Sequence, residues 1–166
     1  MTKPLRFKSG SFLIALAIAY PFGAAAETGV KFGVVTQDRN LPVTIDADQL
    51  KVDQETNIAI FTGHVEAEQG VLKLRAPKIL VKSITDSKQI SKIIASGGVI
   101  LESAVETASS DNAIYDMVTG LIEMTGNVIL KKGTTTIAGP KFIVDVNNGT
   151  GMMQGRVKSV FSASSQ

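Results

Sequence analysis

The sequence predicts an all-β protein assembled from about four stacked units of roughly 30 residues. Three observations predict it. After residue 26 the chain is a succession of short runs rich in Val, Ile and Thr, punctuated by Gly, Asn, Asp or Pro. No window of about a dozen residues there keeps the 3.6-residue apolar period of a helix. The chain also repeats itself: shifted by 63 residues without a gap, Asp48, Asp53, Thr56, Thr62, Gly63, Val65, Gly70, Pro77, Lys78 and Val81 fall on identical residues, ten matches in 34 positions.

The first 26 residues stand outside this pattern. Lys3, Arg6 and Lys8 form a basic start, an apolar run covers Phe12 to Tyr20, and Ala24, Ala25 and Ala26 give the small-residue pattern at which a secretory signal peptide is cut. Pro21 and Gly23 break the run far short of the roughly 20 apolar residues that a membrane anchor needs. We therefore expect a cleaved signal peptide at 1–26, with the cut after Ala26, and a single domain over 27–166.

Removing that segment changes the charge. The chain has 17 Lys and Arg against 15 Asp and Glu; without Lys3, Arg6 and Lys8 the balance is 14 against 15, which gives no ground for nucleic-acid binding. There is no cysteine, which excludes disulfides, thiolate metal sites and cysteine catalysis together.

The strands read in order as 43–45, 58–61, 71–74, 79–81, 99–101, 121–124, 128–130 and 142–144. A Gly-x-Val triplet recurs at Gly63, Gly97, Gly126 and Gly155, at steps of 34, 29 and 29 residues. Glycine at such a place supplies a positive φ or a bulge, so each triplet is expected to be a corner where one strand ends and the next begins. The only histidine, His64, sits in the middle of the first triplet. Gly98, Asn127 and Arg156 fill that place in the others, so a catalytic or metal-binding His64 is not expected.

Alternation along each strand gives the inward face. If Glu123 faces water, Ile122 and Met124 face inward, and the repeat carries this to Ala59 and Phe61. Val65, Val128 and Leu130 continue the face past the glycines. Leu72, Leu74, Ile79 and Val81 alternate with Lys73, Arg75, Lys78 and Lys82, and Ile137, Phe142 and Val144 are their counterparts. An interior of Val, Ile and Leu, with no Trp and only two Tyr in the chain, suits flexible aliphatic ligands.

The segment from Val43 to Val81, with Thr62-Gly-His-Val65, Gly70 and Ala76-Pro-Lys78, resembles the repeat of the OstA-like family of lipopolysaccharide transport proteins. The second copy, Ser110 to Val144, matches again through Thr125-Gly-Asn-Val128 and Gly139-Pro-Lys141. His64 stands where the family usually has Asn, and Pro77 and Pro140 where it often has Asp. The resemblance implies an open β-jellyroll of stacked antiparallel strands that needs no cofactor. It also implies a periplasmic carrier or bridge that shields lipopolysaccharide acyl chains between inner and outer membranes.

The inward residues above would then line a lipid groove, and Lys73, Arg75, Lys78, Lys131 and Lys132 become possible contacts for lipid A phosphates. Unpaired strand edges invite another chain. Val43 and Ile45 mark an N-terminal edge, for which the resemblance implies an LptC-like partner; Val157, Val160 and Phe161 mark a C-terminal edge, for which it implies an LptD-like one. Head-to-tail self-association would use both. Three other readings stay open: a membrane-anchored LptC-like partner, a structural or adhesive β-solenoid without lipid, and a hydrolase using Asp46 and Asp48. Against the last, Asp48 recurs as Asp111 at a strand start, which reads as turn chemistry.

Overall fold

Six long strands carry the chain back and forth, and each is bent near its middle. The computed structural model describes residues 29–31, 40–85, 87 and 89–161; the expected signal peptide lies outside them. The strands are β1 (Gly29–Lys31), β2 (Thr44–Asp46), β3 (Gln49–Asp53), β4 (Ile58–Gln69), β5 (Leu72–Ser83), β6 (Ile90–Glu102), β7 (Glu106–Asp116), β8 (Leu121–Lys132), β9 (Thr135–Asp145), β10 (Thr150–Gln154) and β11 (Lys158–Phe161). All belong to one antiparallel sheet, in which β4 to β10 follow chain order, β2 and β3 pair with β4, β11 pairs with β9, and β1 pairs with β10.

The turns follow from local chemistry. Asp53, Asp116 and Asp145 each close a hairpin by accepting backbone N–H groups two and three residues on, at 2.9–3.3 Å. Four residues after each Asp stands a residue with positive φ: Asn57, Gly120 or Gly149. At the opposite ends of the strands Gly70 (φ 57°) and Gly133 (φ 54°) each open a two-residue turn.

The bend is the feature that shapes the molecule. The ladders lose register between Thr62 and Val65, Arg75 and Lys78, Ser96 and Val99, Ser109 and Asn112, and Thr125 and Val128. These bulges lie side by side, so the whole sheet folds along one crease into two leaves. The Gly-x-Val triplets at Gly63, Gly97 and Gly126 therefore lie inside continuous strands, and the expected corners are mid-strand bulges; Gly155 alone follows the expectation, between β10 and β11. Pro77, inside β5, sits where the ladder is interrupted and its missing N–H costs nothing.

Burial shows how the crease keeps one face inside. On β6 the buried residues are Ile93, Ala95, Val99 and Leu101, in unbroken alternation; on β5 they are Leu74, Ala76, Ile79 and Val81, and the alternation slips at Pro77 and Lys78. At each bulge β4, β6 or β8 carries one residue more than its partner, so the partner changes parity where the longer strand keeps it, and both leaves present apolar side chains to each other. All the buried apolar residues form one cluster, with Ala59, Phe61, Leu72, Val43 and Ile45 packed partly against it. At roughly 1.5–3 kcal/mol for each fully buried large side chain, this cluster supplies the main force that holds the leaves together.

Candidate functional site

The inner faces of the two leaves form the site, and alternation builds them. Leaf one contributes Ile79, Val81, Ile93, Ile122, Met124, Phe142 and Val144; leaf two contributes Val65, Leu74, Val99, Leu101, Val128, Leu130 and Ile137. Eleven of the fourteen residues expected to face inward are buried, and the other three, Ala59, Phe61 and Leu72, are half-buried against the same cluster. The deepest layer is packed shut: Phe142, Met124, Ile79 and Ala95 are 0% exposed. Near the rims a cavity of about 20 Å³ remains, bounded by Leu72, Leu74, Ile93, Leu101, Tyr115 and Ile122 among others. That is room for about one water-sized sphere, so an alkyl chain needs the leaves to part.

The rims opposite the crease meet at a seam. Tyr115, near the end of β7 on leaf one, donates its hydroxyl to Gln69 Oε1 of leaf two at 3.1 Å, and Gln69 Nε2 donates to the carbonyl of Leu41 at 3.0 Å. Both side chains are buried, at 6% and 4% exposure, so the bond forms away from competing water. A second inward polar residue, Glu106, begins β7 on the leaf-two rim and forms an ion pair with Lys132. Alternation places Gln69 inward after Val65 and Ala67, but nothing local names its partner 46 residues away.

The outer face of leaf two carries an ion-pair ladder. Lys73 Nζ lies 2.7 Å from Glu66 and 2.5 Å from Glu68, while Arg75 reaches Glu66 at 2.5 Å and Glu102 at 2.9 Å. Hydrogen bonds from Lys73 and then Arg75 hold the Glu66 carboxyl down at about 2. Of the five cations considered for phosphate, Lys73, Arg75 and Lys132 are thus engaged with carboxylates, and Lys78 and Lys131 are exposed.

His64 is 93% exposed at φ 39° and bonds Asp48 Oδ2 through Nδ1 at 2.8 Å; Asn127 does the same to Asp111 at 3.0 Å. Among the described residues no three His, Cys, Asp or Glu side chains are grouped to hold a metal. The expected edge residue Ile45 lies on β2, paired with Ala67 of β4, and Val43 lies just before β2. Val160 and Phe161 lie on β11, paired with Thr136 and Thr135, and Val157 just precedes it.

A creased antiparallel sheet with an aliphatic interior and a polar seam is an open β-jellyroll. LptH, described as the LptA-homologous periplasmic component of the lipopolysaccharide transport device of Pseudomonas aeruginosa, has the same fold, with a TM-score of 0.68 over 76% of this chain and 99% of that one at 17% identity. The chain belongs to the family described as LptA/(LptD N-terminal domain) LPS transport protein, which matches residues 44–150. It is 26% identical to the lipopolysaccharide export system protein LptA of Escherichia coli (strain K12) over 82% of this chain and 76% of that protein. It is also 27% identical to an uncharacterized protein of Rhizobium meliloti (strain 1021), over 90% of this chain and 83% of that one. The family is one of transport proteins rather than enzymes.

Proposed function

We propose that this protein is a periplasmic carrier of lipopolysaccharide, exported by a signal peptide cut after Ala26 and working as one domain over 27–166. The observation that carries the reading is the continuous aliphatic lining of both leaves in a chain of this transport family. Each buried methylene is worth about 0.8 kcal/mol, so acyl chains crossing water need such a lining. The fourteen inward residues shield the chains, and the sugars project through the seam. Lys78 and Lys131, exposed and at opposite leaves, are the cations best available to lipid A phosphates.

The edges serve assembly in this reading. β2 with β3 would receive an LptC-like strand at the inner membrane, and β11 an LptD-like strand at the outer one, or either edge would receive a second copy of this chain. Leu50 and Val52 on β3 and Val160 and Phe161 on β11 are exposed, which suits edges completed by another chain.

Photocrosslinking tests the reading. A photoreactive residue at Phe61 or Phe142 should give lipopolysaccharide adducts in cells, and one at outward-facing Lys82 should give none. No adduct at any of the three positions in folded protein would remove the carrier reading. It would leave a structural solenoid, which the close packing of Phe142 and Met124 would suit.

A further inference from the structure

We propose that the seam at Gln69 and Tyr115 is a lateral slot that admits the acyl chain of an amphipathic lipid, and that these two side chains are its polar lip. The proposal rests on the carrier reading and deepens it by naming where a chain passes between the leaves. Along β4 the inward residues run Val65, Ala67, Gln69, so the alternation that lines the interior with aliphatic groups ends on an amide at the rim. Along β7 the leaf-two rim ends on Glu106, 3% exposed and paired with Lys132. The mouth of an aliphatic interior is therefore polar at its rim, as an amphipathic guest requires.

The Gln69 amide links the two rims in the closed state. Gln69 accepts from Tyr115 across the seam and donates to Leu41, which precedes β2, so this side chain joins the two rims to the approach to the N-terminal edge. The Gln69 and Tyr115 side chains both border the small cavity whose other walls include Leu72, Leu74, Ile93, Leu101 and Ile122. A neutral hydrogen bond shifts an equilibrium by only about three- to tenfold, enough to keep an empty seam shut and little enough to be exchanged. When the leaves part, the Tyr115 hydroxyl and the Gln69 amide need new partners, since a buried polar group left without one is costly. A carbonyl oxygen where an acyl chain joins its headgroup accepts from the Tyr115 hydroxyl, and an amide N–H or a headgroup hydroxyl there donates to Gln69 Oε1, whereas a bare hydrocarbon supplies neither.

The test uses the mature chain and a dansylated undecanoyl amide, whose emission rises in apolar surroundings. Tyr115→Phe removes the hydroxyl and keeps the ring; Gln69→Met keeps the volume and removes the bonds to Tyr115 and Leu41, and serves if the first variant folds poorly. Both should take up the probe about five- to tenfold faster than the wild type in stopped-flow mixing, while Glu123→Gln on the outer face should match the wild type. Uptake at wild-type rate in both seam variants would overturn the lip, and no emission change in any form would overturn the slot. Because the probe is not lipopolysaccharide, Tyr115-dependent uptake without crosslinks at Phe61 and Phe142 would remove that cargo and leave the slot standing.

Discussion

His64 Nδ1 lies 2.8 Å from Asp48 Oδ2, and the same clasp recurs 63 residues later, where Asn127 Nδ2 lies 3.0 Å from Asp111 Oδ2. In both copies the donor residue has positive φ, 39° and 48°, and the Asp belongs to the neighbouring strand or its continuation. The histidine is thus a bulge residue that fastens one strand to the next across the crease. His64→Asn should change the unfolding free energy measured in urea by no more than about 0.5 kcal/mol, as is typical of a surface substitution. Asp111→Ala removes the clasp and should cost about 1 kcal/mol.

The glycines of the clasp are held by space as well as by φ. A Cβ on Gly126 would lie 2.3 Å from Asp111 Oδ2, on a backbone at φ +79°, whereas one on Gly133, at φ +54°, would meet nothing within 4 Å. Gly133→Ala should therefore cost only the conformational penalty, about 1 kcal/mol. Gly126→Ala should cost more, about 2–3 kcal/mol, because the Asp111 clasp must also be displaced. Equal losses in denaturant melts would mean that crowding by Asp111 contributes nothing.

These two residues show what the sequence made legible. The spacing of Gly-x-Val disclosed where the backbone needs a positive φ, but a corner and a mid-strand bulge ask for the same glycine. They differ in whether the partner strand runs on, which is a non-local fact. The inward residues were legible because Lys73, Lys78 and Lys82 alternate with apolar neighbours on a half-buried face. β7 was harder to see: between Glu106 and Tyr115 its inward face is Ala108, Ser110 and Ala113, too small and polar to read as a strand. Gln69 and Tyr115 needed the crease itself, since only folding the sheet brings their rims together. The recurrence of Asp48 as Asp111 was a real signal, and its outcome was a clasp onto the bulge rather than turn chemistry alone.

Acid should loosen leaf two through Glu66. Its carboxyl is lowered from 4.5 to about 2 by hydrogen bonds from Lys73 and Arg75, so the charged form is favoured by folding. A lowered folded-state value means the contribution is complete above about pH 4.5 and is lost as pH falls toward about 2. Glu66→Gln should flatten that part of the melting-temperature profile, leaving the acid loss due to Asp53, Asp116 and Asp145, which backbone N–H groups of their turns help to hold down. Since the ladder is partly open to solvent, the difference between wild type and variant should shrink in high salt. Thermal melts across that pH range at two ionic strengths check both points, and parallel profiles would mean that Glu66 carries none of the acid sensitivity.

The C-terminal edge has two halves with different protection. β10 is covered by β1, through Gly29 opposite Met152, Val30 opposite Gly151 and Lys31 opposite Thr150, while β11 pairs only with β9 among the described residues. A three-residue strand with few ladder bonds is a weak cover, so β1 should be the first strand to peel. Val30→Pro removes the N–H of its central residue and disfavours the paired conformation of the residue before it. The backbone amides of an antiparallel strand alternate between its two neighbours. Hydrogen exchange should therefore quicken, about tenfold or more, at those amides of Thr150–Met152 that face β1, while the amides facing β9 and those of β11 keep their rates. Such a pattern would make β1 a guard over half of the edge, displaced before another strand can pair with β10. Unchanged exchange throughout β10 would mean that β1 gives the edge no protection in solution.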